Sequence, residues 1–341
     1  MGGDLGPAEV VEGLKLALIT DAASAPIVLV GDQAILEPLL LQSGLNGHPK
    51  VSIVHASEVI TMEDKPLRAI ARKKDSSMVK CCNLLKDGAV GVLVSSGNTG
   101  ALMAGGKLIV GSMNGVARPA IAPTIPREGG YFILIDAGAN PNPEAIHLMH
   151  NAIMGANYAR AVLGVASPRV GLLTIGLEEG KGTPLTNEAN ELLKKINGVI
   201  NYLGPVEGFQ LFHDHIDVVV CDGFVGNALL KSWESMAKFI KNILAEELKR
   251  NPLRRAGYVL AKGAFVAMRE RLNPDRYAGA PLLGVRGNIL KTHGSSNRHA
   301  WASAIGAAGK IIEHDLYHHI EQDVARANAL IAAPASDPTV N

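Results

Sequence analysis

Val218–Asn227 reads VVVCDGFVGN, an unbroken β-branched run that ends at Cys221-Asp222-Gly223 and passes at once into residues with helical spacing. A strand of apolar residues alone has no face left for water, so it belongs inside a sheet covered on both sides, as parallel strands are. An acidic residue followed by glycine at its end is the chemistry of a helix start. The same unit recurs in both directions from this point. Apolar runs stand at Ile27–Val30, Val51–Val54, Val90–Val94, Tyr131–Ile135 and Val170–Ile175, with longer helical stretches between them. The pattern predicts a three-layer α/β/α sandwich around a mostly parallel sheet. No fixed-period repeat and no linker rich in Pro, Gly or Ser divides it. Residues 1–328 are therefore expected to form a single α/β domain, with 329–341 as a flexible tail of small residues and prolines.

Composition narrows the class. Hydrophobic residues make up 47% of the 341 and charged residues 19%, the balance of a packed globular chain. Lys and Arg number 33 against 32 Asp and Glu, a net charge of +1, so no global field would draw the chain to nucleic acid. Cys81, Cys82 and Cys221 are too few and too badly spaced for a disulfide scaffold or a structural zinc site and read as reduced thiols. No basic leader runs into an apolar segment and no run of about 18 apolar residues occurs, so a cytoplasmic, non-spanning protein is expected.

The loops after the strands carry the chemistry. Five are built from small and polar residues: Ser95–Gly100 (SSGNTG), Asp136–Asn140 (DAGAN), Gly176–Thr183 (GLEEGKGT), Cys221–Asn227 (CDGFVGN) and Thr292–Asn297 (THGSSN). In an open parallel sheet the carboxyl ends share one edge, so these loops are expected to converge on one crevice. Each leads into a helix, whose free N–H groups favour an anion that glycine lets the backbone approach. Nucleotide signatures fail: only three residues separate Gly176 from Gly180-Lys181, Gly182 stands where a P-loop needs Ser or Thr, and no GxGxxG opens a helix. A smaller phosphate group remains.

Lys181, between Gly180 and Gly182, cannot serve a core and is the sharpest candidate for binding it. Arg118 and Arg127 are weaker ones. Asp136 and Asp222 end apolar strands, where a helix-cap role competes with a substrate role. His213, His215, His318 and His319 have no carboxylate and cysteine set at ligand spacing and read as solvated or structural, so no metal is expected. There is no GxSxG elbow, and Cys82 or Cys221 would need a basic partner. Phosphate acting as its own nucleophile needs no activated side chain, only positioning and a place for the developing oxyanion.

Several longer motifs occur in one order: Met1–Pro7 (MGGDLGP), Ser95–Ala104 (SSGNTGALMA), Asp136–Asn140, Glu178–Thr183 (EEGKGT), Val218–Asn227 and Ala280–Ser296 (APLLGVRGNILKTHGSS). With them the chain resembles, over nearly its whole length, the phosphate acyltransferases that turn acyl-acyl carrier protein and inorganic phosphate into acyl phosphate for phospholipid synthesis. The resemblance implies a fold like that of isocitrate dehydrogenases and phosphotransacetylases, a homodimer, no metal or nucleotide cofactor, and peripheral association with the inner membrane. It also implies acyl carrier protein and phosphate as partners, and a membrane glycerol-3-phosphate acyltransferase downstream. On this reading Lys181 and Asn227 are catalytic. Gly97, Asn98, Thr99, Gly100, Asp136, Asn140, Gly180, Gly182, Thr183, Asp222, Gly226, His293 and Ser295 bind phosphate or substrate.

Members of that family carry a short strand ahead of the MGGD motif, whereas this chain starts at the motif's methionine. The resemblance thus implies either a start upstream of Met1 or a missing buried strand, the second with weaker folding and activity expected for this exact chain. Around 228–271 the sequence predicts a helical pair broken at Asn251-Pro252. There Leu253, Tyr258, Val259, Leu260 and Phe265 are interleaved with Lys249, Arg250, Arg254, Arg255 and Lys262, a composition suited to an anionic membrane surface or to packing on a dimer partner. Two other functions share features with this reading: a phosphotransacetylase-like enzyme that uses acyl-coenzyme A, and a non-catalytic membrane scaffold.

Overall fold

The computed structural model describes residues 1–20, 22–23, 25–178, 181–213, 215–271 and 279–332. The first half contains α1 (Gly6–Ile19), β1 (Ile27–Gly31), α2 (Gln33–Ser43), β2 (Val51–His55), α3 (Pro66–Arg72), α4 (Ser77–Lys86), β3 (Val92–Ser95), α5 (Thr99–Gly105), β4 (Ala120–Ile121), β5 (Thr124–Arg127), β6 (Gly130–Ile135) and α6 (Ala145–Tyr158). The second half contains β7 (Arg169–Thr174), α7 (Pro184–Lys195), β8 (Asn201–Glu207), β9 (Val218–Val220), α8 (Gly223–Lys249), α9 (Pro252–Arg271), β10 (Ala280–Leu283), β11 (Asn288–Lys291), α10 (Arg298–Glu313) and α11 (Leu316–Ala332).

The strands form a five-stranded sheet in the order β5-β6-β9-β7-β8, a four-stranded sheet in the order β3-β11-β10-β4 and a parallel pair, β1-β2. Pairing is parallel from β6 through β9 and β7 to β8 and between β3 and β11. It is antiparallel where β10 meets β11 and β4, and where β5 meets β6. The larger sheets share one ribbon. Residues 120–127 pair through β4 with β10 on one side and through β5 with β6 on the other, and the Ala137 N–H donates to the Ile121 carbonyl at 2.9 Å.

Alternation across the sheets explains the layers. In the larger sheet Ile133, Ile135, Val170, Leu172, Val218 and Val220 face α6, α7 and α11, while Phe132, Leu134 and Val219 face Leu230 and Trp233 of α8. In the smaller sheet Leu290, Val92 and Val94 join the first of these clusters, so one core runs beneath both sheets. Ile289, Leu93 and Leu282 face α4 and α5. Helix α6 is buried on every side, and two of its polar residues tie it to α11. His150 meets Asn328 at 3.0 Å and Asn157 donates to Asp323 at 3.0 Å, joining α6 to α11.

The tail begins later than expected. Leu316, Ile320, Val324 and Ala327 are buried at helical spacing, and α11 continues through Ala332 instead of stopping before 329; residues 333–341 lie outside the described residues. The helical pair forms with its break at Asn251, and α8 begins five residues earlier than the expected 228, because Asp222 caps it there. Beyond its first turns α8 has few buried positions, so the pair projects from the sandwich.

Candidate active site

At the carboxyl ends of β6 and β9 the DAGAN and CDGFVGN loops interlock. Asp136 is completely buried and its carboxylate accepts the N–H groups of Ile121 (3.0 Å), Gly138 (3.1 Å), Ala139 (2.9 Å) and Asn140 (2.6 Å). Burial pushes its pKa up, against the pull of those backbone donors. Buried Asn140 donates to the Pro119 carbonyl at 2.7 Å, and its own carbonyl accepts the Gly223 N–H at 2.9 Å. The Asp222 carboxylate caps α8 by accepting the Val225 N–H at 2.8 Å. Both aspartates are therefore occupied by backbone donors and set the loop shape. Gly226 is demanded by contact, since a Cβ there would lie 2.0 Å from the Asp136 carbonyl oxygen. The next residue, Asn227, is exposed on α8 beside Gly138.

The loop after β7 carries Lys181; Gly180 lies outside the described residues. The Lys181 ammonium is exposed and pairs with Glu178 at 2.8 Å, a contact that holds the Lys181 pKa up and the Glu178 pKa down. Gly182 has φ +119°, a left-handed conformation that suits glycine. Thr183 caps α7 by accepting the Thr186 N–H at 3.2 Å. Among the described residues no hydrogen bond or ion pair joins Lys181 to Asn227; strand adjacency places their loops side by side, because β7 pairs with β9.

The remaining loops make a second cluster. Ser95 faces Lys291 across the parallel β3–β11 ladder, and the Thr292 N–H donates to the Ser95 carbonyl at 2.9 Å. The Ser95 hydroxyl accepts the Gly97 N–H at 3.1 Å. Buried Asn98 caps α5 by accepting the Ala101 N–H at 3.0 Å, while its amide donates to the carbonyls of Thr61, Met62 and Asp64. Its side chain is thus committed to loop structure. Thr99 is exposed and Gly100 packs near Pro66. The Asp4 N–H of the amino-terminal turn donates to the Gly294 carbonyl at 2.8 Å, and exposed His293 and Ser295 contact each other at 2.8 Å.

The five loops do not share one edge as the sequence suggested. β11 is antiparallel to β10, β10 to β4, and β5 to β6, so β3 and β11 run opposite to β6, β9, β7 and β8. The intervening antiparallel strands are short or carry proline, and their reversal left no mark in the apolar pattern. Two clusters result, one on each side of the 120–127 ribbon. Lys291 connects them electrostatically: it feels Asp4 of the amino-terminal turn and Lys231 of α8, one helical turn beyond Asn227. Sequence reasoning missed this lysine, whose signal is a single charge at the end of the apolar strand Ile289–Leu290.

Other candidates resolve into structure. Arg127 donates to Asp217 at 2.7 Å inside the protein, so it is not an anion site. His213 and His318 are exposed and lie beside Glu128 and Asp315. Burial pushes the Cys81 and Cys82 thiols up to about 12 and the Cys221 thiol well above its ordinary value, so none is a thiolate near neutrality.

Comparison with known proteins adds the chemistry. Residues 1–319 match the family described as "Fatty acid synthesis protein". The chain is 41% identical over 324 residues to the phosphate acyltransferase of Thermoanaerobacterium thermosaccharolyticum, covering 95% of each chain. The chain belongs to the phosphate acyltransferase family. Other curated phosphate acyltransferases agree: that of Pelotomaculum thermopropionicum is 43% identical over 95% of this chain and 93% of its own, and that of Magnetococcus marinus 41% identical over 100% and 97%. As a phosphate acyltransferase the chain is an enzyme of acyl transfer to phosphate. Its fold is that of a phosphotransacetylase from Streptococcus pyogenes, with TM-score 0.54 at 17% identity over 87% of this chain and 91% of that one. The EutD phosphotransacetylase of Staphylococcus aureus shares it with TM-score 0.51 at 13% identity, over 88% and 99%.

Proposed function

We propose that this phosphate acyltransferase takes a fatty acyl group from the thioester of acyl carrier protein and passes it to inorganic phosphate, supplying acyl phosphate for phospholipid synthesis. The feature that carries the reading is the set of glycine-containing loops at the ends of the strands, beside cysteine thiols whose pKa burial holds well above neutrality. With no cysteine thiolate offered to the acyl group, the direct attack is assigned to phosphate. A phosphate oxygen donates its lone pair to the thioester carbonyl carbon, the C–S bond breaks, and the departing thiolate takes up a proton. The products are acyl phosphate and free carrier thiol.

Negative charge gathers on the carbonyl oxygen as attack proceeds and needs donors already in place. Lys181 supplies one by exchanging its Glu178 partner for the substrate oxygen. Asn227 supplies the second from the first turns of α8. The glycines of both clusters let substrate approach the backbone. No helix among the described residues is long and apolar enough to cross a membrane. The projecting pair instead exposes Leu253, Tyr258, Val259 and Leu260, the last with 90% of its surface open, while Phe265 is half-buried with its ring 5.3 Å from that of Tyr258. This apolar surface, flanked by cations, supports peripheral binding to the inner face of an anionic membrane. There a homodimeric enzyme would hand its product to a glycerol-3-phosphate acyltransferase.

The test incubates the protein with palmitoyl-acyl carrier protein and phosphate and follows free carrier protein and acyl phosphate. Phosphate-dependent release of both supports the reading. Preference for palmitoyl-coenzyme A over the carrier thioester would overturn the donor assignment.

A further inference from the structure

Lys291 ends β11, on the same face of the sheet as its parallel partner Ser95. It is half-buried, and the only hydrogen bond its ammonium makes among the described residues is to the Thr292 carbonyl. Several lysines around the two clusters are matched: Lys181 with Glu178, Lys231 with Glu234, Lys73 with Asp64 and Lys80 with Asp75. No ion pair to Lys291 occurs among the described residues; the charges bearing on it are Asp4, from the amino-terminal turn, and the like charge of Lys231, from α8. An ammonium withdrawn from water beside another cation is unfavourable unless a ligand brings negative charge. Burial, with Lys231 adding to it and Asp4 opposing it, holds the Lys291 pKa down at about 8.

The surroundings suit a tetrahedral oxyanion. The Ser95–Gly97 turn, the amino-terminal turn bound through Asp4 to Gly294, and the Thr292–Ser295 loop converge beside the lysine. Lys181 stands with the other cluster and is already paired. We propose that Lys291 is the cationic contact for the phosphate group, holding it in the β3–β11 cluster while the β6–β9–β7 cluster holds the acyl carbonyl. This division rests on the acyl-to-phosphate reading above. The two clusters come within electrostatic range where Lys291 feels Lys231, one helical turn beyond Asn227, and there the phosphate oxygen meets the carbonyl carbon. The same contact serves the phosphate of the acyl phosphate product.

The experiment uses the full chain with Lys291→Met and Lys291→Arg, measuring initial rates against phosphate at fixed palmitoyl-carrier protein. Phosphate-induced thermal stabilisation is measured in parallel. Lys291→Met is expected to raise KM for phosphate about 10- to 100-fold, the range for losing one charged hydrogen bond, with KM for the thioester within twofold. Lys291→Arg keeps the charge and recovers part of the loss. In the wild type, KM for phosphate rises as pH passes about 8 and Lys291 loses its proton, whereas Lys291→Arg stays flat, because arginine remains charged. A folded Lys291→Met with wild-type KM for phosphate overturns the proposal. Should it not fold, a wild-type profile indistinguishable from that of Lys291→Arg overturns it equally. An inactive wild type that phosphate still stabilises, with that stabilisation lost in Lys291→Met, would sink the acyl-transfer reading and leave the phosphate site standing.

Discussion

Replacing Gly226 with alanine tests whether the active-site helix is fixed by direct backbone contact. The added Cβ would sit 2.0 Å from the Asp136 carbonyl oxygen and 2.9 Å from the Cys221 sulfur. Ordinary carbon–oxygen contacts lie at about 3.3–3.6 Å, so α8 and the DAGAN loop must part by roughly 1.3 Å. The oxygen belongs to the backbone of Asp136, whose side chain is itself held by four N–H groups, so the helix is the element that moves. Such a shift stretches the 2.9 Å bond from the Gly223 N–H to the Asn140 carbonyl beyond hydrogen-bond range. Overpacking costs about 1–3 kcal/mol and the lost hydrogen bond about 1 more, for a destabilisation of about 2–4 kcal/mol. Asn227 is displaced with the helix, and an error of about 1 Å at a reacting centre lowers turnover about 100-fold. Urea unfolding and steady-state acyl transfer measure the two effects separately. A Gly226→Ala enzyme with an unchanged urea midpoint and turnover within threefold of wild type would refute the idea that this contact positions Asn227.

Lys181→Ala and Asn227→Ala are each expected to lower turnover about 100- to 1000-fold, with melting temperature unchanged because both side chains are exposed; retention of more than about a tenth of wild-type turnover at saturating phosphate removes either from the chemistry. Asp217→Asn should destabilise by about 3 kcal/mol, the low end for a broken buried pair because Arg169 is partly open to water. Burial would raise the Asp217 pKa, but Arg169 and Arg127 outweigh it and hold it low. Its contribution is therefore present above about pH 4 and fades as pH falls through the depressed value, so acid unfolding of the wild type should be steeper than that of Asp217→Asn. Leu260→Glu with Phe265→Glu should release the enzyme from anionic vesicles with solution activity retained; unchanged cosedimentation argues against membrane contact, and unfolding would mean that the pair is core.

The elements easiest to read were those whose local chemistry and tertiary role coincide. The all-apolar runs at Tyr131–Ile135 and Val218–Val220 became the strands they suggested, and Asp222 capped the helix that its spacing implied. The connecting strands were hidden. β4 has two residues, β5 and β10 each carry a proline, and β8 interrupts its pattern with Gly204-Pro205, so none shows the periodicity of a strand. Of these, β4, β5 and β10 reverse the sheet direction, which is why five loops expected on one edge stand in two clusters. Lys291 was invisible for a related reason: its isolation depends on Asp4 of the amino-terminal turn and Lys231 of α8, both far earlier in the sequence.

The order of the smaller sheet has a consequence for how the enzyme is made. Val94 finds its ladder partner in Leu290 and Ile121 finds one in Leu282, so both early strands wait for the far end of the chain. At ribosomal speeds of about 5–20 residues per second, the roughly 200 residues between Val94 and Leu290 take about 10–40 s to emerge. Throughout that interval β3 is an apolar strand with its ladder edge open, the kind of surface that pairs with other chains. The half of the enzyme that carries Lys291 therefore closes last, and its open strand edge is exposed until residues 280–291 have left the ribosome.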